Sequence, residues 1–222
     1  MPRIPAIKTP TAGIILAAGE SRRFGAPKQL FRLAGRFLIE WVLTAALDSN
    51  LDHVLLVLGF EHERIRRSLA SSTTHPKCEI LVNPDYHDGQ STSLQSGIQR
   101  IRNEFPSVMF LLGDQPLVDA DLINLLLDRY KKSEKPICIP THVGARGNPT
   151  LFASSFYPAI LKLAGDTGAR DLITNHPHQV LAVEIPDAWV FLDIDCPQDV
   201  EPINRLLETK YGSGFSGSRF NG

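Results

Sequence analysis

The sequence predicts an α/β fold, a Rossmann-like, doubly wound and mostly parallel sheet. Three observations carry that prediction. His53 to Leu58 (HVLLVL) is an almost uninterrupted apolar run, the composition of a strand buried on both faces. Runs of strand length alternate with amphipathic or charged helical segments, the rhythm of right-handed strand-helix-strand crossovers. The residues able to do chemistry fall just after the apolar runs, at the strand carboxyl ends where such sheets collect their ligands.

The stretch that organises the rest is Gly13 to Leu30, GIILAAGESRRFGAPKQL. Ile14, Ile15 and Leu16 read as a buried strand. Ala17, Ala18 and Gly19 read as a small-residue turn whose backbone N–H groups can approach an anion closely. Leu16 to Gly19 would therefore line a nucleotide, with Arg23 and Lys28 supplying the positive charge its phosphates require. Two commoner glycine loops do not fit. Five residues separate Gly19 from Gly25 and the lysine follows three positions later, which breaks GxxxxGK[ST]. ESRRFG after Gly19 does not supply GxGxxG either.

Composition narrows the partners. The 222 residues suit one α/β domain with a sizeable core. Net charge is −1, and the only basic doublets are Arg22-Arg23, Arg66-Arg67 and Lys131-Lys132, so an extended nucleic-acid surface is not expected. Any anion must be bound locally. The opening MPRIPAIKTPT is broken by Pro2, Pro5 and Pro10 and has no apolar h-region of a secretory signal, and no run is long enough to span a membrane. Cys78, Cys138 and Cys196 have no metal-ligand spacing and suit free thiols in a reducing cytoplasm. His176 and His178 flank Pro177 as loop residues, with no Cys or His cluster to make a zinc site. Residues 1–11 read as a flexible lead, 12–211 as one domain, and 212–222, which are Gly/Ser-rich, as a flexible tail.

After the loop, Gln29 to Gly35 is a short segment ending in a turn. Phe37 to Leu47 is an amphipathic helix closed by Asp48, Ser49 and Asn50. Glu61 to Leu69 is a charged outer helix, and Cys78 to Val82 a third strand. The glycine and hydroxyl cluster from Gly89 to Gly97 leads into a helix running to about Arg102. Its N–H groups and hydroxyls suit a base edge or an anion, though an ordinary capped helix accounts for them nearly as well. Val108 to Leu112, a fourth strand, delivers Gly113-Asp114-Gln115-Pro116. Asp114 is thus aimed at the active edge as a hard oxygen ligand for Mg2+. Asp119 and Asp121 stand nearer the next helix, Asp119 to Lys132, so Asp114 is not needed as its cap. Pro136 to Pro140 is a fifth strand, and Thr141 to Phe152 a loop followed by a strand that crosses over the site. Gly165 to Arg170 reads as a helix start capped by Asp166 or Thr167, with Arg170 able to hold an acceptor phosphate; a plain capped surface helix is the competing account. Val180 to Ile185 and Trp189 to Leu192 read as strands. Asp195, in DIDCPQD, is either a cap for the Pro197 helix or a second carboxylate for the metal that Asp114 would hold.

LAAGESRRFGAPKQL resembles the signature LAAGxSxRFGxxKQL of the molybdopterin cytidylyltransferase group of nucleotidyltransferases, and LGDQPL, GDTGAR and DIDCPQD resemble that group's LGDQPL, GDxGAR and DIDTPED. The resemblance runs from Gly13 to Asp199. It implies the nucleotide-diphospho-sugar transferase type of fold, with a small strand-rich acceptor lobe. It further implies that Ser93 contacts the base, that Asp195 joins Asp114 on Mg2+, and that Gln115, Asn148, Asp166, Gly168, Ala169 and Arg170 face the acceptor. Asn148 stands where histidine is commoner, and Cys196 replaces the usual threonine. The implied reaction moves CMP from CTP to molybdopterin and releases pyrophosphate, the product passing to a molybdenum hydroxylase apoenzyme. Arg23, Lys28 and Asp114 would be its catalytic residues. A GTP-using or sugar-phosphate nucleotidyltransferase, or a non-catalytic cofactor chaperone, remain alternatives. No GxSxG, HExxH or CxxC supports covalent or zinc chemistry.

Overall fold

The computed structural model describes residues 10–21 and 24–211. Arg23 therefore lies outside the described residues, as do most of the expected lead and all of the expected tail.

β1 (Thr11–Ala17) is central. A two-residue hairpin follows, β2 (Arg32–Leu33) and β3 (Arg36–Phe37), turned by Ala34 and Gly35 at φ +47° and +81°, the left-handed pair that such a tight loop requires. α1 (Leu38–Asp48) comes next, its Glu40 carboxylate accepting from Phe37 N at 2.9 Å. Then come β4 (His53–Leu58), α2 (His62–Ser68), β5 (Cys78–Val82), α3 (Gln90–Ile101), β6 (Ser107–Leu112) and α4 (Ala120–Lys131). Asp119 caps α4, its Oδ1 accepting from Leu122 N at 2.9 Å. The second half adds β7 (Ile137–His142), β8 (Ala145–Arg146), β9 (Thr150–Ala153), α5 (Tyr157–Ile160), α6 (Arg170–Asn175), β10 (Val180–Glu184) and α7 (Val200–Tyr211).

Strand order is β10-β7-β9-β6-β1-β4-β5, with β8 hairpinned onto β7. β1 is parallel to both β4 and β6, and the chain winds outward through β5 before it returns across β1 to β6. The reversal at β1 opens a crevice at the strand carboxyl ends. Alternation along the strands feeds two cores. Ile15, Leu56 and Leu111 pack with Val42 of α1 and Leu126 of α4, while Ile14, Leu55 and Phe110 pack with Leu94 and Ile98 of α3.

Three expectations change. Thr141 to Phe152 does not cross over the site. After β8 it enters the sheet as β9, antiparallel between β6 and β7, so the strand-rich segment expected as an acceptor lobe is continuous with the main sheet. Trp189 to Leu192 is not a strand but a 3-10 turn over Ala188–Phe191. β10's ladder closes when Ile185 N donates to Thr141 O, Pro186 follows, and the short apolar run folds back to bury Val190. Finally, neither Asp166 nor Thr167 caps a helix, since α6 begins only at Arg170 behind Ala169, with no side-chain cap.

No described helix is long and apolar enough to cross a membrane. All three cysteines are free thiols. Burial pushes the Cys138 thiol up to about 12, and burial with the neighbouring Glu79 carboxylate pushes Cys78 up to about 11. Both stay protonated at neutral pH, and the thiolate is the reactive form. In the native protein at pH 8, Cys78 and Cys138 are therefore expected to resist a thiol reagent and to react only on denaturation; rapid native labelling of Cys138 would contradict this.

Candidate active site

Each part of the site is fixed by a residue behind it. The turn after β1 is tied at three carbonyls. Gln29, which is buried, donates through Nε2 to Ala17 O at 2.9 Å and Gly19 O at 3.1 Å, and Phe60 N donates to Ala18 O at 3.0 Å. Gln29→Leu removes two of these bonds from the loop. It is expected to cost about 2 kcal/mol of stability in a denaturant titration and to raise the nucleotide KM several-fold. An unchanged midpoint would show that the loop does not depend on Gln29.

Lys28 opens a short 3-10 turn, Lys28–Leu30, directly after Pro27. Its ammonium donates to Asp114 Oδ2 at 2.7 Å, to Ile194 O at 3.0 Å and to Asp195 Oδ1 at 3.2 Å. Burial pulls its pKa down, but the two carboxylates together outweigh burial and hold it above the ordinary lysine value. Asp114 follows β6, where Gly113 N bonds Leu16 O at 3.0 Å, and its own carbonyl accepts from Ile194 N at 3.0 Å. The second bond brings the 193–195 segment over the end of β6. Asp199 Oδ2 caps the next turn by accepting from Asp195 N at 2.9 Å and Cys196 N at 2.8 Å. The two NH bonds hold the Asp199 carboxyl below its usual range. The capping role is thus filled by Asp199, and the Asp195 side chain turns to Lys28.

Two buried oxygens lack a partner among the described residues, Gln115 Oε1 and one on Asp114. Asp114 Oδ1 is buried without a hydrogen-bond partner among the described residues, while Oδ2 holds Lys28. A buried carboxylate oxygen left unpaired is costly, and such an oxygen marks a place for a ligand.

The far wall is α3. Asn83 is fully buried after β5 and donates through Nδ2 to Thr92 Oγ1 at 2.9 Å and to Ser93 Oγ at 3.0 Å, so the Ser93 hydroxyl is held in place inside the cleft. Gly89 has φ +106°, and a Cβ there would lie 2.3 Å from the Gly165 carbonyl carbon, which only glycine avoids. Ser91 N bonds Gly165 O at 3.1 Å, fastening the 165–168 loop to the start of α3. Across the mouth, His87 Nδ1 and Glu20 Oε1 are 3.0 Å apart.

The result is a cleft of about 650 Å3 lined by Leu16, Ala17, Ala18, Gly19, Lys28, Ser93, Asp114 and Asp195, all of which the sequence nominates for nucleotide or metal. A second cleft of about 280 Å3 adjoins it across Leu16, Gln90 and Leu112 and is lined by Asn148, Gly168, Ala169 and Arg170, four of the six nominated acceptor residues. The other two differ. Asp166 lines the larger cleft. Gln115 is buried and lines neither cleft; its Nε2 donates to Asp193 Oδ1 at 2.6 Å, a residue of the smaller cleft, and its Oε1 has no hydrogen-bond partner among the described residues. Burial and the nearby Asp114 raise the Asp193 pKa. Sequence reasoning missed Gln29, Asn83, Asp193 and Arg146, which also lines the smaller cleft.

A phosphate-loop turn at a topological switch point, with a lysine and a strand-end aspartate facing it, defines a nucleotidyltransferase. The chain belongs to the family of the MobA-like NTP transferase domain, which residues 13–180 match. It is 32% identical over 200 residues to the purine catabolism protein PucB of Bacillus subtilis (strain 168), spanning 88% of this chain and 96% of PucB. It is 28% identical over 202 residues to nicotine blue oxidoreductase of Paenarthrobacter nicotinovorans, spanning 88% and 95%. To the molybdenum cofactor cytidylyltransferase of Escherichia coli (strain K12) it is 26% identical over 194 residues, spanning 84% and 91%. Among solved structures, Rv0371c from Mycobacterium tuberculosis H37Rv superposes with a TM-score of 0.75 at 26% identity, covering 90% of this chain and 99% of that one. Its complex with manganese gives 0.74 at 25%, covering 90% and 100%.

Proposed function

We propose that this nucleotidyltransferase moves CMP from CTP to molybdopterin, giving molybdopterin cytosine dinucleotide and pyrophosphate. The observation that carries the reading is the convergence of Lys28, Asp114 and Asp195 at the mouth of a cleft walled by the turn after β1. The similarity to a molybdenum cofactor cytidylyltransferase supports the choice of substrates, and the LAAG and DQPL sequences favour cytidine over guanosine.

A divalent cation fits the residues present. Asp114 offers a buried oxygen without a partner, Asp195 faces the same lysine, and both are hard donors. No group of three His, Cys, Asp or Glu side chains among the described residues makes a self-sufficient metal site, so one or two carboxylates would be completed by substrate phosphates, the mode Mg2+ favours. The manganese complex of Rv0371c supports a divalent ion in this fold. Bound there, the ion would neutralise charge on the triphosphate.

The chain's own residues do the remaining work. The turn from Leu16 to Gly19 cradles the nucleotide, and Lys28, with Arg23, stabilises charge that develops at the α-phosphorus. An acceptor phosphate oxygen attacks that phosphorus in line, a new P–O bond forms, and the bond to pyrophosphate breaks. A phosphate dianion is already nucleophilic, so no general base is required, and positioning dominates. Ser93 reads the base, and the smaller cleft holds the acceptor. The protein would act in the cytoplasm and hand its product to a molybdenum hydroxylase apoenzyme.

The test is pyrophosphate release with each of the four NTPs, molybdopterin and Mg2+. CTP is expected to support turnover well above the other three. Preference for GTP would move the chain to the guanylyl reaction, turnover only with sugar phosphates would replace the acceptor, and no metal-dependent turnover with any NTP would leave a cofactor chaperone.

A further inference from the structure

The two clefts differ in charge. Among the described residues, Lys28 faces Glu20, Asp114, Asp166 and Asp195 in the larger one, whereas Arg146 and Arg170 face only Asp193 in the smaller. In the smaller cleft the two arginines outnumber the one carboxylate, which suits an anion arriving without a divalent cation. Only Arg170 belongs to a motif singled out in the sequence.

We propose that Arg146 and Arg170 together clamp the phosphate monoester of the acceptor, and that Arg146 selects for an anionic acceptor. The proposal rests on the reading of the smaller cleft as the acceptor's and goes beyond it by naming the group that recognises the acceptor's charge.

Arg146 is held as a binding residue has to be. Val143 and Gly144, at φ +47° and +79°, fold β8 back onto β7 and pair Arg146 with Thr141. Gly147 N then bonds Pro140 O at 3.0 Å, and a Cβ on Gly147 would lie 2.2 Å from the Phe191 ring, so backbone lies directly on that ring. The guanidinium is held too. Its Nη1 donates to Thr174 Oγ1 at 3.1 Å, and that hydroxyl donates to Arg170 O at 3.1 Å. Thr174 therefore ties the Arg146 guanidinium to the main chain at Arg170, the first residue of α6. Arg146 makes no ion pair among the described residues, and four of its five N–H donors remain for a phosphate, whose oxygens a guanidinium can take two at a time. Leu94, Phe110 and Ile173 supply an apolar wall beside these cations, which suits a flat ring attached to the phosphate.

The test is steady-state kinetics of Arg146→Gln and Arg146→Lys with molybdopterin as acceptor. Arg146→Gln is expected to raise the acceptor KM about 10- to 100-fold, with the nucleotide KM and the kcat at saturating acceptor unchanged. Arg146→Lys should recover part of the loss, since it keeps the charge but not the fork. An unchanged acceptor KM, or an equal rise in both KM values, would overturn the clamp. A second measurement separates this proposal from the choice of acceptor. Phenyl phosphate should protect Arg146 and Arg170 from phenylglyoxal, read residue by residue by mass spectrometry, while the exposed Arg32 and Arg102 label at the same rate with and without it. If molybdopterin is not used but protection is seen, only the acceptor's identity falls; if Arg146 labels equally with and without phenyl phosphate, the clamp falls whatever the acceptor.

Discussion

Asp114→Asn lowers nucleotidyl transfer on the order of a thousandfold, while the protein stays folded and CTP binding falls far less. The expectation follows from the two different oxygens of one carboxylate. Oδ2 holds the Lys28 ammonium at 2.7 Å, and asparagine can keep a neutral version of that bond. Oδ1 is buried and has no hydrogen-bond partner among the described residues, an arrangement that costs stability and is useful only if something fills it. An amide has the same shape but lacks the charge, so the loss should appear in kcat and in metal dependence before it appears in folding. Metal titration of the variant is the check. Turnover within tenfold of the unsubstituted protein would mean that Asp114 only orients Lys28.

Lys28→Met should give the second largest loss, about a hundredfold in turnover, with a clear rise in the nucleotide KM. It should also have an effect of opposite sign. Because the ammonium sits between Asp114 and Asp195, within 2.7 and 3.2 Å, it occupies the ground a divalent cation would take. Its removal leaves two carboxylates facing each other without that counter-charge, and Mn2+ in the absence of nucleotide should bind more tightly to Lys28→Met than to the unsubstituted protein. The free Mn2+ signal in electron paramagnetic resonance measures this directly. Weaker Mn2+ binding in the variant would show that Lys28 orders the carboxylates for the metal and does not compete with it.

Two strands, the inner β4 and the edge strand β5, were legible to the residue. His53–Leu58 and Cys78–Val82 agree with their apolar runs at both ends because β4, paired on both sides, leaves little room for polar substitution, and β5 takes its register from β4. Short apolar segments outside the ladder were not. Trp189 to Leu192 has strand composition, but the β10 ladder ends at Ile185 before Pro186 and the segment closes on itself, Leu192 N bonding Trp189 O at 3.1 Å. Asp114, Asp195 and Lys28 could be nominated from the sequence because each stands in a short motif with a recognisable spacing, GDQP, DIDCPQD and GAPKQL. Gln29 and Asn83 could not, since a buried amide that bonds loop carbonyls or hydroxyls leaves no periodic signal; only its position beside a motif, next to Lys28 or straight after β5, hints at it. The inward bond of Gln115 was hidden for a related reason. Its neighbour Asp114 faces the cleft, and the turn after β6 sends the next side chain inward to Asp193. Arg146 was missed because hairpin arginines are ordinary on surfaces, and its importance appears only once Thr174 ties it to the main chain at Arg170.

A crystal structure with Mg2+ and a non-hydrolysable CTP analogue tests the central claim most directly. The account predicts the triphosphate against the backbone of Ala17 to Gly19, with Lys28 moved from the carboxylates onto phosphate oxygens and the metal on Asp114. Nucleotide bound outside that cleft, or a metal held by side chains that do not include Asp114, would contradict it.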